Sequence, residues 1–274
     1  MNKSKHLFSI LTLSFLFIAL LSTVLLTVSL LLGGFSMDEE TRPEQQAPSQ
    51  ENDLTADASP KNTLGETSDK GEEYIKKIIF VGDSTTYHMI ARGVLPDGKN
   101  TTQVWCPSNG TLLLSSDVTS LKIVYPDTDA EMTIAEAAAL KQPEYMVLTI
   151  GLNGSHTFTE GIYKGAYGKL IEAIRAASPE TKIILQSVFP VAENETAWKS
   201  LSPAELNLRI DQINSWAQEL TLKYPNVRYL DTQSVLRDEQ NYLKRSYEAG
   251  DGIHLTEEGY RAILLYIRTH AWES

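Results

Sequence analysis

The sequence predicts an α/β fold: a three-layer α/β/α sandwich around a mainly parallel central sheet. Two observations carry that expectation. From residue 74 onward, apolar β-branched runs alternate with helix-forming segments, the pattern of successive βαβ units. One of those runs, Tyr145–Ile150, is apolar but for Thr149, as a strand covered on both faces should be. No tandem repeat at a fixed period competes with this reading.

Taken in order, Ile75–Val81 reads as the first strand. It stops at Gly82, and Asp83 and Ser84 follow at once. Thr85–Gly93 reads as a short helix with Gly93 as its stop. Thr101–Trp105 is a second strand, followed by turn chemistry in Pro107-Ser108-Asn109-Gly110. Within residues 111–130 the pattern is ambiguous, and Leu121–Tyr125 offers a short extra strand. Thr133-Ile134-Ala135-Glu136 is a capping box that opens an alanine-rich helix ending before Pro143. Gly161–Ala177 is amphipathic and helical, and Lys182–Val188 is the next strand. Ser202-Pro203-Ala204-Glu205 combines an N-cap, a proline at the first helical position and a capping-box glutamate. That helix runs to about Tyr224, Val227–Leu230 is the last strand, and Thr256 to about Thr269 is the final helix. Glu257 and Glu258 lie in its first turn, where the helix dipole favours them.

Two segments precede this domain. Lys3 and Lys5 lead into an uncharged stretch from Leu7 to Phe35, longer than the roughly 20 apolar residues that span a bilayer. No small-x-small cleavage site follows, so residues 1–36 read as a cytoplasmic N-terminus and a retained transmembrane signal anchor. With lysines before the span and Asp38, Glu39 and Glu40 after it, the rest of the chain is expected outside the cell membrane. Residues 37–73 are acidic and poor in aromatics, and read as a disordered linker. Of the net charge of −11, the linker carries −8 and the N-terminal lysines +2, which leaves only −5 on residues 74–274. A mildly acidic domain argues against nucleic acid as a partner. Cys106 is the only cysteine, so no intramolecular disulfide forms, and a structural thiol is expected there rather than a nucleophile. An unpaired thiol outside the membrane fits a bacterial surface.

Gly82-Asp83-Ser84 alone is ordinary turn chemistry. Its weight comes from other loops that should reach the same sheet edge: Gly110, Gly151-Leu152-Asn153-Gly154 and Asp251-Gly252-Ile253-His254. Ester hydrolysis needs a nucleophile, a base, a group that orients the base and donors for an oxyanion. These loops contain one of each. His254 alone would read as a core or capping histidine, but Asp251, three residues earlier, can reach its far ring nitrogen. Asp83 is expected to brace the turn. Tyr87, His88 and His156 are near Ser84 in sequence and are candidates to line the site, with surface or packing roles the commoner outcome; Trp105 and Trp198 are candidates to stack on sugar rings, with packing the commoner role.

The set resembles the SGNH, or GDSL-type, hydrolase family of esterases and lipases, and covers residues 74–274. Val81-Gly82-Asp83-Ser84 matches the family's first block, and Asp251 to His254 matches its last. Gly151-Leu152-Asn153 matches the Gly-x-Asn-Asp block up to Gly154, which replaces the acid. Gly110 matches the glycine block loosely, and Thr85 stands where the leucine of the GDSL name would be. The resemblance implies a flavodoxin-like SGNH hydrolase fold. It also implies Ser84 as nucleophile, His254 as base, Asp251 as its orienting carboxylate, and an oxyanion hole of Ser84, Gly110 and Asn153. No metal ligand cluster or phosphate loop is visible, so no cofactor or metal is expected. The expected substrate is an acyl ester, an acetylated saccharide of the envelope or a lipid. A lysophospholipase or thioesterase of the same family and a non-catalytic envelope-binding domain are the alternatives.

Overall fold

The computed structural model describes residues 62–195 and 200–273. The expected membrane anchor and most of the expected linker lie outside the described residues. Among the described residues, no helix is long and apolar enough to cross a membrane.

Five strands form one parallel sheet: β1 (Ile78–Gly82), β2 (Val104–Trp105), β5 (Tyr145–Thr149), β6 (Lys182–Gln186) and β7 (Val227–Leu230). Their order is β2-β1-β5-β6-β7. The register pairs Val81 with Trp105, Gly82 with Thr149, Leu148 with Leu185 and Gln186 with Leu230. A separate antiparallel ribbon, β3 (Lys122–Tyr125) and β4 (Ala130–Thr133), continues from the β2 side, where Val124 N–H donates to Cys106 O at 3.0 Å. The chain leaves β1 towards β2 on one side and returns to β5 on the other. The sheet therefore has its topological switch point between β1 and β5, the place where open parallel sheets bind ligands.

Residues of β1 divide between the faces with the period-2 alternation of a strand. Ile79 and Val81 join one core with side chains of α3 (Ile134–Lys141), α4 (Glu160–Ala177) and α5 (Pro203–Thr221). Ile78 and Phe80 join the other with α1 (Gly71–Ile75), α2 (Ser84–Arg92), α6 (Gln233–Leu236) and α7 (Glu257–Thr269). All five residues of β1 and of β5 are buried, which is why these strands carry no polar face. The two capping boxes form as read: Thr133 with Glu136, and Ser202 with Glu205 behind Pro203.

Two expectations about the start of the domain are corrected. Residues 62–73, whose composition reads as linker, pack on the domain. Leu64 is buried, Tyr229 N–H donates to Asn62 O, Leu64 N–H donates to Tyr229 O, and Asp69 pairs with Arg268. Composition hides this because a single buried leucine and backbone pairing need no hydrophobic run. Ile75, which reads as the start of the first strand, ends α1. Lys76 and Lys77 N–H groups donate to Glu72 O and Tyr74 O, closing a helical turn before the strand starts at Ile78. The strand expected at Thr101–Trp105 shortens to Val104–Trp105. The Gln103 side chain crosses instead to Ile75 O (2.6 Å) and Ile78 O (2.7 Å) and ties α1 to β1.

Candidate active site

Ser84 is the first residue of α2, directly after β1. The change from strand to helix within two residues depends on Gly82 and Asp83. A β-carbon at Gly82 would collide with Thr86 Oγ1 and sit 2.6 Å from Thr149 O, so no side chain fits there. Asp83 is the buried N-cap: its Oδ1 accepts from Thr85 N–H (3.0 Å) and Thr85 Oγ1 (2.7 Å). Asp83 thus braces the turn, as expected. Ser84 N–H, in the first turn, has no intrahelical partner and points out of the helix end.

His254 reaches Ser84 from 170 residues away: Nε2 and Ser84 Oγ are 2.9 Å apart. On the other side of the ring, Nδ1 and Asp251 Oδ2 are 2.6 Å apart. The tautomer follows from the donor inventory. An ionised carboxylate only accepts, so Nδ1 carries the proton and Nε2 is left to accept from the serine hydroxyl. Asp251 is held in place by its own turn, with Oδ1 accepting from the N–H groups of Ile253 (2.9 Å) and His254 (2.8 Å). Partial burial works to raise the Asp251 pKa. The hydrogen bonds from the His254 ring and from the His254 and Ile253 backbones outweigh it, and bring it down to about 2.

The loop carrying the pair is itself fastened. Glu248 Oε1 accepts from Gly250 and Gly252 N–H, and Ala192 N–H donates to Gly252 O at 2.8 Å. Gly252 has φ +80, and a β-carbon there would lie 2.5 Å from Glu195 Cα. Glycine is required here for close approach as well as for backbone conformation.

The other expected residues divide. Asn153 stands half-buried in the turn after β5, the strand beside β1, and so lies at the same sheet edge as Ser84. Its side chain makes no hydrogen bond to another described residue. Gly110 is at this edge too, beside the Tyr87 ring one turn after Ser84. Its expected role as a backbone donor is corrected, because Gly110 N–H donates at 2.8 Å to Pro107 O inside its own turn. Positive φ (+68) accounts for the glycine instead. Cys106 is buried, and burial pushes its thiol up to about 11, which leaves it inert. Trp105 is 1 % exposed and packs on Tyr125; Trp198 lies outside the described residues. His156 is exposed. His88 is the residue that sequence reasoning undervalued. Its ring stacks on His254, with centroids 4.0 Å apart and planes 15° apart. It lies one helical turn after Ser84, at the i+4 spacing that repeats a helix face.

A serine hydroxyl bonded to an imidazole, itself bonded to an ionised carboxylate, at the switch point of a parallel sheet, is the constellation of an acyl-transferring hydrolase. The chain belongs to the GDSL-like lipase/acylhydrolase family, whose model matches residues 80–262. It is a hydrolase of ester bonds. No curated protein matches it. Among solved structures it is similar to a GDSL-like lipase from Bacteroides thetaiotaomicron, at 19% identity over 70% of this chain and 86% of that one, with a TM-score of 0.43. It is also similar to the periplasmic domain of a lipopolysaccharide acetyltransferase from Salmonella ser. Paratyphi A, at 19% identity over 70% and 82%, with a TM-score of 0.44. A carbohydrate esterase family 3 structure from Talaromyces cellulolyticus matches at 16% identity over 70% and 93%, with a TM-score of 0.43.

Proposed function

We propose that this chain is a membrane-tethered extracytoplasmic serine esterase that removes short acyl groups, such as acetyl, from envelope carbohydrate. The observation that carries the chemistry is the unbroken hydrogen-bonded line Ser84 Oγ–His254–Asp251. Ser84 Oγ attacks the ester carbonyl while its proton passes to His254 Nε2. Asp251 holds the tautomer and stabilises the imidazolium that forms. The oxyanion is received by Ser84 N–H and the Asn153 side-chain amide, each such donor being worth about 3 kcal/mol in the transition state. His254 then returns the proton to the leaving alkoxide, releasing the alcohol. Water repeats the cycle on the acyl-serine: its proton goes to Nε2, its oxygen to the acyl carbon, and the proton returns to Ser84 Oγ.

The extracytoplasmic location and the tether rest on Lys3, Lys5 and the apolar stretch Leu7–Phe35. A domain held within reach of the envelope meets acylated saccharides first, and this motivates the substrate class. Full-length protein is expected to turn over p-nitrophenyl acetate faster than the octanoate and decanoate esters. Preference for the long chains would point to a lipid substrate. Loss of turnover in Ser84→Ala is expected, and retained turnover would remove Ser84 from the mechanism. Protease added to intact cells should digest residues 62–273 if the domain lies outside; protection would place it inside.

A further inference from the structure

We infer that His88 is a positioning residue whose neutral ring serves as a stacking face for the His254 imidazolium. This inference rests on the esterase mechanism proposed above. Three observations lead to it. The two imidazoles are stacked at 4.0 Å with planes 15° apart, a parallel contact that restrains rotation of the His254 ring about its own axis. That rotation is the motion that would take Nε2 away from Ser84 Oγ. His88 Nδ1 is sealed from solvent and has no hydrogen-bond partner among the described residues. A protonated imidazole donates from both nitrogens, so charging His88 would leave a buried N–H unsatisfied. The neutral Nε2–H tautomer leaves only a bare acceptor at Nδ1. Burial, followed by the charges of His254 and Arg92, also holds the His88 pKa below its ordinary value, against the pull of Asp251.

A neutral π face against a ring that becomes positive during each half-reaction is an attractive contact, and it exists only while the proton is on His254. The charged and titratable groups around the stack are Asp251 and Asp83 on the His254 side, Arg92 on α2, and Tyr87, whose ring meets His88 edge-on with centroids 6.2 Å apart. None of them can replace a flat ring at 4 Å.

The test compares His88→Ala and His88→Phe in the full-length protein. Loss of the face in His88→Ala should lower kcat about tenfold while KM changes less than twofold. The acidic limb of kcat/KM should move to lower pH, because the imidazolium loses stabilisation. His88→Phe restores a flat π face and should recover kcat to within about threefold of wild type. The proton between His254 Nδ1 and Asp251, followed by NMR, should remain sharp in His88→Phe and broaden in His88→Ala. Unchanged kcat, limb and resonance in His88→Ala would overturn the inference. Equal losses in both variants, matching their loss of Tm, would overturn it too, in favour of mere packing. If the wild type hydrolyses no ester, the esterase reading fails. The resonance then still decides whether His88 positions His254.

Discussion

Gly252 lies so close to the backbone of Glu195 that a β-carbon would stand 2.5 Å from Glu195 Cα. Two loops that are far apart in sequence are locked at this point, and one of them carries Asp251 and His254. The contact is backbone against backbone, so it cannot be relieved by a rotamer change. Gly252→Ala combines a steric clash with an unfavourable positive φ, and should cost about 1–3 kcal/mol of stability. It should also lower kcat, because the loop that carries His254 must shift. Urea unfolding and steady-state kinetics read the two effects; unchanged values for both would mean the loops are not locked here.

Asp251 makes acid sensitivity predictable. Its pKa is about 2 in the folded protein, below the unfolded carboxyl value of about 3.9. The stabilisation is therefore complete above about pH 4 and is lost as the pH falls through about 2. In urea titrations, the difference between wild type and Asp251→Asn should shrink as the pH falls from about 4 to about 2. Half of the Asp251 side chain is exposed, so salt should reduce that difference. At neutral pH, Asp251→Asn should lower kcat by on the order of 100-fold or more, because the amide favours the wrong imidazole tautomer.

Residues 62–73 are predicted to be part of the folding unit. A chain shortened to begin at residue 74 loses the buried Leu64, its backbone pairing with Tyr229 and the Asp69–Arg268 ion pair. It should unfold at lower urea concentration than a chain beginning at residue 57, by at least about 2 kcal/mol. Equal midpoints would return this segment to the linker.

Much of the architecture was legible because the deciding signals are local. Val227–Leu230 and the helix opened by Thr133-Ile134-Ala135-Glu136 show this, since apolar runs, capping boxes and prolines act over a few residues. The Ser84, Asp251 and His254 set was legible for the same reason, since each sits in a short block with its own turn chemistry. What escaped depends on distant partners. Ile75 joined a helix because Lys76 and Lys77 N–H groups found carbonyls in the preceding turn, while its apolar character matched the strand beyond. The β4 strand has no apolar run, and it exists because Lys122–Tyr125 pairs with it. Pro107-Ser108-Asn109-Gly110 announces a turn, but which carbonyl the Gly110 N–H meets within it, here Pro107 O, is set by the backbone dihedrals the turn adopts. His88 reads from the sequence as a site-lining candidate or a packing residue, and no short-range pattern announces its stacking partner 166 positions away.

The most direct measurement is site-resolved labelling of the folded full-length protein by a fluorophosphonate, which reacts with activated serines. Intact mass followed by peptide mapping should find one phosphonyl group per chain, on Ser84. Labelling should fall at least about 100-fold in His254→Ala, because the hydroxyl then has no base within reach. A folded wild-type chain left unlabelled, or labelled at Ser84 equally fast without His254, would contradict the assignment of Ser84 as a nucleophile activated through His254.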